Sequence, residues 1–102
     1  MSKGRRRGKD LEKYIAKLFS GERLGLIGGE DVRLTHFSIE AKERAKLPAS
    51  IKIWYKQAKE YAGDRIPVVY LHELNRPHEE DLIIIRALDI RGCIMARELK
   101  TK

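Results

Sequence analysis

Apolar residues return along the first part of the chain with helical spacing. Leu11, Tyr14, Ile15, Leu18 and Phe19 fall at i, i+3, i+4, i+7 and i+8, which predicts a helix with one stripe turned to a core. Gly21 is the expected C-terminal stop. Glu12 lies on the shoulder of the stripe, beside Ile15 and Ala16, where it can reach along the core edge. "GLIGG" at 25–29 reads as loop. The period then changes to two. Val32 and Leu34 oppose Asp31 and Arg33; further on, Phe37, Ile39 and Ala41 oppose His36, Ser38, Glu40 and Lys42. This alternation predicts two short antiparallel strands joined by a tight turn near Thr35.

Pro48 interrupts the pattern, and Ser50 is the expected N-cap of a second helix. Ile51, Trp54, Tyr55, Ala58 and Tyr61 form its apolar stripe, Lys52, Lys56 and Lys59 its polar side, and Gly63 its end. "IPVVYLHE" and "LIIIRAL" are continuous apolar runs that predict buried strands, the one at 67–72 in mid-sheet. The polar stretch "LNRPHEED" separates them. Asp89 is expected to cap a last helix running to about Leu99, with Cys93 in its core face and Gly92 weakening it. The predicted order is α-β-β-α-β-β-α, an α/β domain with a central sheet flanked by helices.

Composition limits what such a domain can be. At 102 residues the chain predicts one domain, 1–102, with a flexible basic N-terminal arm over residues 1–8. Hydrophobic residues make up 42% and charged residues 36%, an ordinary globular balance. No apolar run approaches the roughly 20 residues of a membrane helix. The basic start has no apolar stretch after it, so a signal peptide is not expected. With Cys93 as its one cysteine the chain cannot form an internal disulfide, which points to a reducing cytoplasm. The net charge of +7 points to nucleic acid, because a polyanion rewards clustered cations through counterion release. Arg5, Arg6 and Arg7 in the arm, Lys9 just beyond it, and Lys52 and Lys56 on the second helix, are the expected contacts.

Candidate chemistry gathers in the predicted hairpin. Pairing across the turn brings Asp31 near Glu40, with Lys42 on the same face as Glu40. Two converging carboxylates repel each other unless a cation lies between them, and hard oxygen ligands suit Mg2+, with Mn2+ as a substitute. A lysine two residues beyond can orient the attacking water or offset charge on a phosphate. An acid, a glutamate and a lysine on one sheet face also occur as plain surface ion pairs. His72-Glu73 and His78-Glu79-Glu80 lack the spacing of a zinc helix, Trp54 is expected in the core, and "GLIGGED" has no P-loop lysine.

The acid followed by Glu40-Ala41-Lys42 resembles the PD-(D/E)XK nuclease superfamily, with Glu30 where the motif's proline would stand. Glu12 on the leading helix, "WYKQA" with Gln57, "VVYLHE" and "DLIIIRALDI" extend the resemblance over nearly the whole chain. It is nearest to archaeal-type and phage-encoded Holliday junction resolvases. The resemblance implies a restriction-endonuclease-like fold with a central mixed β-sheet. It implies that Asp31, Glu40 and the Ala41 carbonyl ligate the metal, that Lys42 positions or activates water, and that Glu12 acts on metal or water from behind. Gln57 is a support near the phosphate or a surface amide, Ser20 a loop serine of the site or a helix end, and His36 a DNA or metal contact or an exposed turn residue. The implied activity is a Mg-dependent endonuclease on branched DNA such as a four-way junction, working as a homodimer in the cytoplasm, that of the host if phage-encoded. A flap, nick or end-processing nuclease and an inert nucleic-acid-binding module are the alternatives.

Overall fold

The computed structural model describes residues 3–25 and 30–100, with side chains from residue 9 onward. Three helices, α1 (Lys3–Phe19), α2 (Ala49–Ala62) and α3 (Ala87–Leu99), accompany five short strands. The strands are β1 (Glu22–Arg23), β2 (Val32–Arg33), β3 (Ser38–Ile39), β4 (Val69–Leu71) and β5 (Leu82–Ile84), with a short 3-10 turn at His78–Glu80 before β5. The α/β class agrees with the sequence pattern, but the sheet does not. In place of one central mixed sheet, the described residues form two antiparallel ones, β1-β2-β3 and β4-β5. The added strand β1 is two residues long, too short for any period to reveal.

The chain groups into two compact units, residues 1–45 with 91–102, and residues 46–90. The first has the core. Phe19, Val32 and Leu34 are buried together, with Ile15, Leu18, Ile39, Ile94 and Met95 packed against them. Val32 is fully enclosed. Tyr14, expected in the α1 stripe, is 58% exposed instead. The helix begins at Lys3, so the backbone of 3–8, expected to be a flexible arm, is helical. Its far end departs from the expected glycine stop. Ser20 takes the left-handed conformation (φ 55°), and the Gly21 amide donates to the Ala16 carbonyl at 2.8 Å. That is the αL closure usual at helix ends, with a serine in the position glycine favours. Gly21 has a different reason to be glycine: a Cβ there would lie 2.7 Å from Leu34 Cδ1 and 3.0 Å from the Arg33 carbonyl oxygen.

In the second unit α2 packs with β4, and β4 pairs with β5 in the register Val69↔Ile84, Tyr70↔Ile83, Leu71↔Leu82. No residue described between 46 and 90 is fully buried. The expectation of a mid-sheet strand at 67–72 is therefore corrected, since among the described residues β4 pairs with β5 alone. Trp54 and Tyr61, expected in the core, are exposed. Pro48, not Ser50, occupies the N-cap of α2, without a side-chain cap. Similarly α3 starts at Ala87, and Asp89 sits in its first turn bound to the Arg86 guanidinium rather than capping it. Cys93 on α3 is exposed. No helix among the described residues is long and apolar enough to cross a membrane.

Candidate active site

The hairpin forms because Val32, Leu34 and Ile39 share one face and bury it, which fixes the register as Val32↔Ile39 and Arg33↔Ser38. A two-residue turn closes it, the Leu34 amide donating to the Phe37 carbonyl at 2.9 Å. One step beyond the register, Asp31 faces the end of β3. Its amide donates to the Ile39 carbonyl at 3.0 Å, and its own carbonyl accepts from Leu24 at 3.2 Å, so its backbone is held from both sides.

That placement brings the expected acids together. Asp31 Oδ2 accepts a hydrogen bond from the Ala41 amide at 2.7 Å, and the Glu40 side chain lies near enough to the Asp31 carboxyl to perturb it. Lys42 Nζ lies 3.0 Å from Glu40 Oε2. The Ala41 amide, more than any other group, holds the Asp31 carboxyl below the ordinary aspartate value; the Glu40 contact and the Lys42 charge act in the same direction. Asp31, Glu40, Ala41 and Lys42 thus form one cluster on one sheet edge. Both members of the Lys42–Glu40 pair are largely exposed, so as a bare ion pair it contributes little to stability.

No family model, curated protein or solved structure matches the chain.

The other predicted residues divide. Glu12 is half-buried and its Oε1 accepts from Arg23 Nε at 3.2 Å, a pair that ties α1 to β1. Gln57 belongs to the second unit, where it lines a groove with Trp54, Tyr61 and Tyr70. Ser20 is the left-handed residue at the end of α1. The side chains of Arg5, Arg6 and Arg7 lie outside the described residues, while Lys9 is exposed. Lys52 and Lys56 line a cavity of about 730 Å³ with an apolar floor that includes Ile51, Tyr55 and Ile84. Tyr55 Oη is buried there without a hydrogen-bond partner.

Three residues that periodicity does not single out also shape the site. Glu30 binds the Arg33 guanidinium and accepts from Ser38 Oγ at 2.7 Å; these two bonds, Arg33 first, hold its carboxyl below the usual value. Glu98 on α3 accepts from the turn amides of Thr35 and His36, each at 2.6 Å. Arg23 engages Glu12. Of these, only Glu30 carries a local signal, lying three residues from Arg33 with opposite charge.

Proposed function

We propose that the chain is a metal-dependent, structure-selective DNA endonuclease of the PD-(D/E)XK kind, resolving four-way junctions by paired phosphodiester hydrolysis. One observation carries the reading: Asp31 and Glu40 meet across the β2–β3 register, with the Ala41 amide on Asp31 and Lys42 on Glu40. An acid pair in contact is the donor set for a hard divalent cation, magnesium or manganese, with the Ala41 carbonyl as an added ligand. The bound ion would supply positive charge against the scissile phosphate. The Ala41 amide holds the Asp31 carboxyl below its ordinary value, which favours the ionised form that a cation needs. Lys42, close to Glu40, orients the attacking water and offsets charge on the phosphate. The net charge of +7 suits a polyanionic partner. The restriction-endonuclease-like fold, a homodimer and a cytoplasmic setting belong to this reading.

The test is incubation of the protein with a labelled four-way junction, a flap and a plain duplex, with and without magnesium. The expected result is junction cleavage that a chelator stops, with Asp31→Asn and Glu40→Gln inactive yet still able to bind DNA. Full activity in verified metal-free buffer would refute the site. Cleavage of the flap in preference to the junction would replace the resolvase reading with an end-processing one.

A further inference from the structure

The second unit holds a cluster that the hairpin chemistry does not use. His72 follows β4, Asp81 precedes β5, and the pairing of Leu71 with Leu82 sets these two opposite each other at the end of the ladder. The 3-10 turn at His78–Glu80 brings a second imidazole back over them. His72 Nδ1 lies 2.6 Å from Asp81 Oδ1, and His78 Nδ1 lies 2.9 Å from Asp81 Oδ2. The two rings stack with centroids 4.3 Å apart. Tyr70 Oη donates to Asp81 Oδ2 at 2.7 Å. The Asp81 side chain is only 4% exposed, whereas that of His78 is 79% exposed. One ligand atom from each of His72, His78 and Asp81 lies within 4.8 Å of the others.

We propose that His72, His78 and Asp81 form a binding site for a transition-metal dication of the zinc class, separate from the magnesium site of the hairpin. Two imidazoles and a carboxylate select such ions over magnesium, which prefers oxygen ligands alone. Three protein ligands leave a fourth position for water. Tyr70 fixes the orientation of the Asp81 carboxylate, as a supporting hydrogen bond to a ligand does. Tyr70, His72 and His78 all reach the Asp81 carboxylate, so the three ligand side chains are already gathered before an ion arrives. The segment 73–80 joins β4 to β5, and the ion would clip its two ends together in a unit with no fully buried residue.

The experiment uses the full chain without an affinity tag, in a Cys93→Ser background so that the exposed thiol does not compete. Zinc is titrated calorimetrically, cobalt(II) is followed by its visible absorption, and the ring nitrogens of the three histidines are observed by NMR. The expected result is one zinc per chain, with the rings of His72 and His78 shifted and that of His36 unmoved. His78→Gln changes an exposed side chain and leaves the fold intact. It should weaken zinc binding by more than the roughly 10- to 100-fold that loss of a supporting hydrogen bond costs, and Tyr70→Phe should fall within that range. Asp31→Asn and Glu40→Gln should bind zinc like the parent, which separates this site from the hairpin. The proposal is overturned if zinc does not bind, if His78→Gln binds it unchanged, or if the His36 ring shifts in place of the other two.

Discussion

At the scale of single residues, the proposed chemistry of the hairpin turns on Asp31 and Lys42. The folded-state pKa of Asp31 lies below its ordinary value of 3.8, so its ionised form adds stability above that value and loses it as pH falls through the lowered one. Glu30 behaves in the same direction. Thermal unfolding followed by circular dichroism should therefore show a midpoint that is steady from neutral pH down to about pH 5 and drops below about pH 4. Replacing Asp31 with Asn should flatten part of that acid limb. Lys42→Ala should lower junction cleavage by about 100- to 1,000-fold with little change in affinity, as loss of a positioned electrostatic group does. Lys56→Ala should instead weaken binding and reduce its salt slope by about 1. An effect of Lys42→Ala on affinity alone would make that lysine another phosphate contact.

Among elements, the hairpin was legible in the sequence and its supports were not. Alternation between Val32 and Lys42 marks which side chains share a face, and burial of Val32 and Leu34 then fixes the register that sets Asp31 at the end of β3. Nothing local announces that Glu98, more than sixty residues away, will bind the turn amides. Glu98→Ala leaves those donors to water and should cost about 1–3 kcal/mol, as hydrogen bonds to a charged group do; chemical denaturation of the variant measures it. Helix ends were misjudged for a related reason. Ser50 and Asp89 have capping chemistry, but Pro48 and the Arg86–Asp89 pair set the starts of α2 and α3. The glycines separate by surroundings. Gly21→Ala drives a methyl against the Arg33 carbonyl and Leu34 and should destabilise by about 1–3 kcal/mol. Gly92→Ala meets nothing within 4 Å on α3 and should stabilise by about 0.5–1 kcal/mol.

For the molecule as a whole, hydrophobic runs told which segments are strands but not how thickly they are covered. Leu82 is 67% exposed and Ile83 54%, although their run of apolar residues reads as a fully buried strand. A small unit of one helix and two strands has too little mass to cover both sheet faces. The uncovered aliphatic side chains of β5 and of α3, with Leu88 and Leu99 exposed, favour the proposed pairing of two chains. Analytical sedimentation at micromolar concentration should give a dimer, and Ile83→Glu should shift it toward monomer while single-turn junction binding weakens. A monomer at all concentrations, with or without a junction, would remove the dimer and leave a general nuclease.

The first unit is assembled from the two ends of the chain, residues 1–45 and 91–102. Its core takes Ile94 and Met95 from α3, the Arg91 guanidinium donates to the Leu18 carbonyl at 2.6 Å, and Glu98 closes the hairpin turn. A chain made from its amino end therefore carries Asp31, Glu40 and Lys42 long before the residues that steady them exist. Such distant closure is slow to reach because the intervening loop must be gathered first. On the proposed nuclease reading, a chain cut short before α3 is expected to lack a steadied hairpin and to leave DNA uncut.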